Sequence, residues 1–335
     1  MKKKIVNLGL IGLGGQGEKI ASAILACKNL KLVACCHFEK EIADDYAKKY
    51  GCLAFISFKK MLQNPLVEAV VIATPNYLHY SQMKLCIAAK KHIFVEKPMT
   101  NNCKEAKEIV KQCNASKLVL MVGHNFRREG AIRKMKELID KGKIGKFVSA
   151  EINISHSGGL KFTKDNWRFY QKKCPGGPLI MLGSHAIDTS NYLFGEAKKV
   201  AAFIKKLYAS TQTPDTSIIL AELKSGGLAY ICNNYNMPGT HFVKAYGTKG
   251  ILYFDKNQGV LSFQGEDIDK NPCSLKSIQY KQVNTLQEEL EEFGTCILKG
   301  KAPETDATAA LQVLSVIEAA EESQKKNKFI AVKSF

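Results

Sequence analysis

Two short segments of this 335-residue chain carry residues whose types and spacing could do chemistry. Residues 12–17 read GLGGQG, and residues 176–188 read GGPLIMLGSHAID. The first is a G-x-G-x-x-G pattern, in which glycines permit a tight turn and let the backbone approach a pyrophosphate. The second interrupts an apolar run with His185 and closes it with Asp188. An imidazole with an ordinary pKa of about 6.5 is suited to moving a proton at neutral pH.

The histidine segment has two interpretations. If it is helical, residues three, four and seven apart share a face, so Met181, His185 and Asp188 form one stripe. Tyr192 follows one turn further on. His185 could act on a substrate, or it could be a core histidine that only satisfies Asp188.

The elements around the glycine pattern give it a more specific meaning. Residues 4–12 predict a buried strand, residues 12–28 turn into helical periodicity, and residues 31–38 predict a second strand. The pattern therefore follows a strand and opens a helix inside a βαβ unit, the context that a dinucleotide site requires. The residues predicted to bind the cofactor phosphates are Gly12, Gly14, Gly15, Gln16 and Gly17.

The rhythm of strands and helices changes near residue 125. Before it, strands alternate with helices, which predicts a doubly wound parallel sheet. After it, a helix at 130–142 is followed by strand after strand, which suits a large, mostly antiparallel sheet. We therefore predict an α/β plus α+β protein, with a dinucleotide-binding domain at 1–124 and a substrate-binding domain at 125–335. The later predicted strands are 146–156, 200–208, 216–224, 228–237, 241–247, 250–255 and 259–265, with late helices at 286–300 and 308–326.

The end of the second strand bears on the choice of cofactor. A dinucleotide site usually carries an acid here for the adenosine ribose, and this chain has His37. A carboxylate would repel a 2′-phosphate, so its absence removes that barrier. Lys40 could help to bind such a phosphate, whereas Glu39 could serve as the ribose acid, and no arginine is near. The balance favours NADP, and NAD stays open.

Charge and hydropathy exclude other classes of protein. The formal net charge is +18, yet only four of the 49 basic residues are arginine, and the lysines are spread along the chain. Nucleic-acid readers usually cluster basic residues and use arginine at base edges, so we expect no nucleic-acid partner. The positive field favours small anionic ligands. No apolar run approaches the roughly 20 residues that span a bilayer, so we expect no membrane partner.

The cysteines and the N-terminus bear on the compartment. The 11 cysteines include no C-x-x-C pair, which predicts neither a metal site nor a disulfide framework but buried reduced thiols. Lysines precede an apolar stretch at the N-terminus, but its glycines and the lack of a cleavage-like site argue against a secretion signal. We expect a cytoplasmic protein.

Several segments together resemble one known family. The motifs follow that family's order from about residue 5 to about residue 330, and they are GLGGQG, AVVIATPNYLH, VEKPMT, VGHNFRREGAIRKMKELIDKGKIG, NWRF, GGPLIMLGSHAID and YGTKGILYFD. They are similar to the Gfo/Idh/MocA oxidoreductases. The resemblance implies an N-terminal Rossmann domain and a C-terminal domain whose open sheet is an oligomer interface, hence a homodimer or homotetramer. It also implies NAD(P)-dependent oxidation or reduction of a sugar, polyol or sugar acid.

The same resemblance assigns roles to residues of this chain. Lys97, which lies at the carboxyl end of a predicted strand, matches the family lysine that contacts the substrate hydroxyl and the nicotinamide ribose. His185 matches the histidine that accepts or donates the proton. Other residues that match the nicotinamide side of the site are Thr74, Pro75, Asn76, His79 and Glu96, of which His79 could instead cap or pack. Residues that match the substrate pocket are Asn125, Arg127, Trp167 and Arg168, and Arg168 could bind a carboxylate or phosphate.

The chain departs from the family at one position. Many members carry an aspartate four residues before the histidine, where this chain has Met181. Either Asp188 supplies the missing orientation of His185, or this member works on another substrate, for example in the reductive direction. The alternatives are therefore a reductase or dehydrogenase of a non-sugar carbonyl, imine or aromatic diol, and an NAD(P)-binding sensor without catalysis.

Overall fold

The structure is a computed structural model that describes residues 5–265 and 275–335. The chain folds into a first unit, Met1–Asn125 with Asn284–Leu311, and a second unit, Phe126–Val283 with Gln312–Phe335. The ten cysteines in the described ranges are free thiols, nine of them buried, and Cys273 lies outside those ranges. Among the described residues, every helix is too short or too polar to cross a bilayer.

The first unit is built on a parallel sheet. Its strands are β1 (Val6–Ile11), β2 (Leu30–Cys36), β3 (Leu53–Phe55), β4 (Ala69–Ile72), β5 (His92–Glu96) and β6 (Leu120–Gly123). Its first helices are α1 (Gly15–Ala26), α2 (Lys40–Tyr50), α3 (Phe58–Gln63), α4 (His79–Ala88) and α5 (Cys103–Ala115). The strand order is β3-β2-β1-β4-β5-β6, with parallel pairing throughout. This order reverses between β1 and β4, the point where open sheets of this kind bind ligands.

The second unit is built on a nine-stranded mixed sheet. Its elements up to residue 277 are α6 (Gly130–Asp140), β7 (Phe147–Ser155), α7 (Pro178–Met181), α8 (Gly183–Phe194), β8 (Ala197–Lys205), β9 (Thr216–Leu223), β10 (Leu228–Asn234), β11 (Thr240–Gly247), β12 (Gly250–Asp255), β13 (Val260–Gly265) and β14 (Lys276–Ser277). The remaining elements of the chain are α9 (Thr285–Lys299), α10 (Ala307–Lys326) and β15 (Ile330–Ala331). The strand order is β14-β13-β12-β11-β7-β10-β9-β8-β15, and among the described strands only β7 and β10 pair in parallel. The predicted fold class is confirmed in both halves.

One face of the second sheet is covered by helices. Buried and more exposed residues alternate along β9, as a half-covered strand requires. Helices α7 and α8 pack against β7, β9 and β10 on the buried face. The other face carries Phe203, Leu220 and Leu228, whose exposed fractions are 65%, 49% and 58%.

The segment Asn284–Leu311 belongs to the first unit. Helix α9 packs against α1, and its Leu290 and Phe293 are fully buried in that unit's core. The Phe293 ring meets the edge of Phe94 at 5.8 Å between centroids. The predicted division at residues 124 and 125 placed this segment in the second domain. An apolar helix face shows that a helix packs, but it does not show which sheet it packs on.

Candidate functional site

Two glycines of the phosphate loop are required by the protein's own backbone. Gly12, directly after β1, has a φ of +95°, and a Cβ there would lie 2.4 Å from the carbonyl carbon of Ala73. A Cβ on Gly17 would lie 2.0 Å from the carbonyl oxygen of Gly12. The backbone comes this close because the strand turns sharply into α1, so the fold itself requires glycine at both positions.

The other two glycines of the loop have no such reason. Gly14 and Gly15 are exposed, and a Cβ on either would meet no atom within 4 Å. Gly14 is the N-cap of α1 and has an extended backbone that any residue can adopt. The space at this helix N-terminus is therefore open, and free backbone N–H groups at such an end favour an anion. The loop fits the pyrophosphate of NAD(P).

The chain after β4 supplies a polar wall beside this loop. The Oγ1 of Thr74 donates to Oε1 of Gln82 at 2.6 Å, and Pro75 then leads into a 3-10 turn, Asn76–Leu78. Asn76 is 3% exposed, and its Nδ2 donates to Oδ1 of Asn101 at 2.6 Å. The Oδ1 of Asn76 has no hydrogen-bond donor among the described residues. A buried acceptor without a donor is costly, so this oxygen suits a donor from a bound ligand.

His79 ties this wall to the segment after β5. Its Nε2 lies 2.9 Å from the carbonyl oxygen of Thr74, and its Nδ1 lies 2.9 Å from that of Pro98. The side chain is 1% exposed, and burial lowers its pKa, with the charge of Lys97 acting in the same direction. Both ring nitrogens therefore face backbone carbonyls, which places His79 behind the predicted cofactor wall.

The end of β5 brings Glu96 and Lys97 to the same edge of the sheet. Glu96 is 8% exposed and accepts a hydrogen bond from Nε2 of Gln16 at 2.7 Å. Burial raises the pKa of Glu96, while Lys97 and Gln16 oppose that shift. Lys97 is half-buried and follows Glu96 directly. Gln16 thereby connects the phosphate loop with the strand end that carries Lys97.

The residues after β2 form the predicted ribose end of the site. The Nδ1 of His37 accepts the backbone N–H of Glu39 at 3.2 Å, so a neutral His37 ring carries its proton on Nε2. Lys40 is paired with Asp44. Phe38, which the sequence analysis did not single out, stacks on His37 with 4.5 Å between centroids and is 80% exposed. The only feature of the sequence that points to Phe38 is its position directly after His37.

In the second unit, the histidine segment is two helices rather than one. Helix α7 ends at Met181 and α8 starts at Gly183, with Leu182 between them. Met181 and His185 therefore do not share one continuous helix, and the predicted stripe is correct only for His185, Asp188 and Tyr192. The backbone N–H of His185 donates to Leu182, which keeps the junction tight.

Arg127 is the partner that the structure gives Asp188. The Nε of Arg127 donates to Oδ2 of Asp188 at 2.9 Å, and its Nη2 pairs with Oδ1. Asp188 is 1% exposed and Arg127 is 8% exposed. The Arg127 guanidinium also lies 5.3 Å from the Tyr192 ring centroid. This buried ion pair fixes α8 to the 3-10 turn Asn125–Arg128.

His185 lies in a stack of three rings. Phe126 stacks on His185 with 3.8 Å between centroids, and Phe126 also stacks on His241 at 4.7 Å. The Nζ of Lys256 lies 4.5 Å from the Phe126 centroid and pairs with Glu129. Phe126, His241 and Lys256 were missed by the sequence analysis, because nothing in their local pattern links such distant positions.

The remaining pocket candidates divide between the units. Trp167 and Arg168 lie in a 3-10 turn of the second unit, where the guanidinium carbon of Arg168 is 4.3 Å from the Trp167 centroid. The backbone N–H of Gln212 donates to the carbonyl of Phe169 and holds the turn in place. Asn125 is in the first unit, where its Nδ2 donates to Oγ1 of Thr285 at 3.1 Å.

Comparison with known proteins places these features in one family. A profile of the oxidoreductase family with an NAD-binding Rossmann fold matches residues 6–124, and the GFO/IDH/MocA C-terminal domain matches residues 132–253. The chain is 26% identical to 2,7-anhydro-N-acetylneuraminate hydratase of Escherichia coli over 261 residues. This aligned region covers 76% of this chain and 68% of that protein.

Two further comparisons extend over nearly the whole length. Myo-inositol 2-dehydrogenase of Thermotoga maritima is 22% identical over 97% of this chain and 98% of its own. The crystal structure of a protein described as an NADPH-dependent oxidoreductase, from Desulfitobacterium hafniense, superposes with a TM-score of 0.93 at 30% identity over 98% of each chain. The resemblance drawn from the motifs is confirmed, and this chain belongs to the Gfo/Idh/MocA family of oxidoreductases.

Proposed function

We propose that this protein transfers a hydride between NAD(P) and the CH–OH or C=O carbon of a sugar, polyol or sugar acid. The observation that carries the proposal is the pair Gly14 and Gly15, which the fold does not need as glycines and which leave an open cradle at the start of α1. The buried Oδ1 of Asn76 and the strand-end position of Lys97 support the same cofactor.

Each candidate residue has a separate task in this reaction. When bound, the nicotinamide takes or gives the hydride. Lys97 contacts the substrate hydroxyl and the nicotinamide ribose. During oxidation, His185 accepts the hydroxyl proton while the carbinol carbon loses its hydride, and a carbonyl forms. During reduction, His185 returns the proton to the oxygen. Met181 contributes apolar surface at the end of α7, and Asp188 anchors α8 to the turn that carries Arg127.

The charge of one segment supports an anionic substrate. Residues 156–187 contain five lysines and arginines and one acid, Asp165. Within them, Arg168 lies against Trp167, an arrangement that offers a fork of donors beside a flat apolar face. One relative named for a sugar acid, the Escherichia coli hydratase, agrees with this choice. We propose a carboxylated or phosphorylated sugar as the substrate.

Two observations support NADP as the cofactor over NAD. The ribose position carries His37 in place of an acid that would repel a 2′-phosphate, and the Nε2–H of the neutral ring is a donor for such a phosphate. The relative from Desulfitobacterium hafniense is described as NADPH-dependent.

The open face of the second sheet supports a homo-oligomer. Phe203, Leu220 and Leu228 expose large apolar side chains on that face. A second copy of the chain would cover them and remove their apolar area from water. Light scattering on the purified protein checks this proposal, with a dimer or tetramer expected and a monomer at micromolar concentration contradicting it.

The function is tested first by binding and then by turnover. NADH and NADPH are titrated with nicotinamide fluorescence as the signal, and keto sugars, sugar acids and the matching alcohols are then screened. We expect nucleotide binding, with NADPH preferred, and turnover of a sugar acid above its neutral analogue. His185→Asn is expected to keep nucleotide binding and to lose roughly 10²- to 10⁴-fold in kcat.

Each other outcome has a defined meaning. Failure to bind either nucleotide would overturn the proposal. Tight binding without turnover on any substrate would support a sensor, and turnover of imines or aromatic diols alone would replace the substrate class. Full activity in both Lys97→Ala and His185→Asn would remove these residues from the mechanism.

A further inference from the structure

The three stacked rings of the second unit come from three separate elements. Phe126 lies in the 3-10 turn Asn125–Arg128, His185 in α8 and His241 in β11. The planes of Phe126 and His185 differ by 11°, and those of Phe126 and His241 differ by 20°. Phe126 is therefore in stacked contact with two imidazoles at once, and the Nζ of Lys256 also lies over its ring.

The outer ring of this stack is a neutral support. Burial lowers the pKa of His241 to about 3, and the charge of Lys256 acts in the same direction. Burial and the charge of Lys256 therefore both favour the neutral form of His241. His241 also makes an edge contact with the buried ring of Phe254, at 6.2 Å between centroids, which ties it to the core of the sheet. Because Phe126 packs on His185 and His241 at the same time, a shift of its ring would disturb both contacts.

The turn that carries Phe126 is itself fixed. The next residue, Arg127, forms the buried ion pair with Asp188, which lies one turn after His185 on the same helix. The turn and α8 are therefore joined twice, by the Arg127–Asp188 ion pair and by the Phe126–His185 stack. A sheet residue, a turn and a helix together restrict the orientation of the His185 ring.

We propose that Phe126 is a positioning residue that sets the plane of the His185 imidazole for proton transfer, with His241 as its fixed backing. This inference rests on the proposed function of His185. A flat aromatic face suits this task in both protonation states, because it packs against a neutral imidazole and attracts an imidazolium. Proton transfer needs the donor and acceptor within hydrogen-bond reach, so a freely rotating ring would lose much of its value.

The experiment compares three variants of the full chain. Phe126→Leu removes the ring, Phe126→Tyr keeps it, and Phe263→Leu makes the same truncation on β13 of the same unit as a matched control. The first readout is the ¹H–¹³C signal of the His185 ring in the protein without nucleotide, assigned by its loss in His185→Asn among the seven histidines. The second readout is kcat and KM, measured separately with a substrate that the turnover screen identifies.

The proposal predicts one pattern in both readouts. In wild type the His185 ring signal is shifted upfield by the Phe126 ring, and this shift is lost in Phe126→Leu but kept in Phe126→Tyr and Phe263→Leu. Only Phe126→Leu is expected to lose about 10- to 100-fold in kcat, with KM within about twofold. Rescue by tyrosine separates positioning from simple loss of stability.

The outcomes separate this inference from the function beneath it. An unshifted His185 signal in wild type, or full kcat in Phe126→Leu while His185→Asn is inactive, would overturn the inference and leave the function intact. An active His185→Asn would overturn the role of His185 itself. If Phe126→Leu loses the His185 shift because it does not fold stably, the decision rests on Phe126→Tyr. A Phe126→Tyr protein that does not show the wild-type shift would also overturn the inference.

Discussion

The two sheets of this molecule build a site in different ways. In the first unit, strands β4 and β6 are buried along their whole length, so both faces of the sheet are covered. Polar chemistry is then confined to the carboxyl ends of the strands, where backbone and glycine form the phosphate loop. In the second unit, β9 alternates between buried and exposed residues, and one face stays open. There the candidate site is made from side chains that separate segments bring together.

This difference predicts which substitutions each unit tolerates. A site made from backbone is sensitive to an added Cβ and insensitive to most side-chain changes nearby. A site made from side chains is sensitive to the loss of one partner. Three measurements, in order of expected effect, test the comparison.

The largest effect is expected from Asp188→Asn in the second unit. This change leaves the Arg127 guanidinium buried without its carboxylate, and breaking such a pair typically costs about 3–5 kcal/mol of unfolding free energy. Urea unfolding followed by the fluorescence of Trp167, the single tryptophan, reports on this unit. The control is Glu222→Gln, whose partners Lys198 and Lys199 are exposed, with a loss below about 1 kcal/mol. Equal losses in both variants would contradict a site held by buried side-chain pairs.

The second effect separates the glycines of the phosphate loop. Gly12→Ala forces a positive φ on alanine and places its Cβ against the backbone of Ala73, so we expect a loss of roughly 3 kcal/mol in the first unit. Gly14→Ala adds a Cβ to open space, so it should cost less than about 1 kcal/mol, the loss of a favourable N-cap residue. It should weaken NADPH binding about tenfold, because the methyl occupies space at the helix N-terminus.

Hydrogen exchange of peptides from residues 6–26 and calorimetric titration with NADPH measure the two properties separately. A Gly14→Ala protein that is unstable, or one that binds NADPH as wild type does, would show that the open cradle is not a ligand site.

The third and smallest effect is the pH dependence of two buried carboxylates. Burial opposes the ionisation of Asp215, but the backbone N–H groups of Leu207, Tyr208 and Ala209 outweigh it and hold the pKa of this carboxyl below its ordinary value. Its contribution to stability is therefore present above the ordinary Asp pKa and is lost as pH falls through the lowered value. Asp215→Asn should cost the second unit about 1–3 kcal/mol at neutral pH.

The contribution of Glu96 to the stability of the first unit changes with pH in the opposite direction. Because burial raises its pKa, the first unit is most stable below the ordinary Glu value and loses stability as pH rises through the raised one. Glu96→Gln should remove this decline and stabilise the first unit at neutral pH, by less than Asp215→Asn destabilises the second. Chemical denaturation across pH 3–8 checks both signs, and a destabilised Glu96→Gln would show that the charge is structurally required.

The same contrast explains how much could be predicted from the sequence. The parallel sheet, the strand end that carries Lys97 and the glycine loop at residues 12–17 follow from local patterns, because the residues that form that loop are neighbours in the chain. The contacts Phe126–His185, Phe126–His241 and Arg127–Asp188 do not, since each joins positions about 60 or more residues apart. The break at Leu182 was also missed, because the apolar run continues through it with helical spacing.

The return of Asn284–Leu311 to the first unit has a consequence for how the chain is made. Phe293 and Leu290 complete a core whose other members lie before residue 122. During synthesis, the nucleotide-binding half must therefore wait, with part of its apolar surface open to water, until more than 150 further residues have been added. A fragment that stops at residue 125 contains every residue of the phosphate loop and still lacks the helix that closes its core.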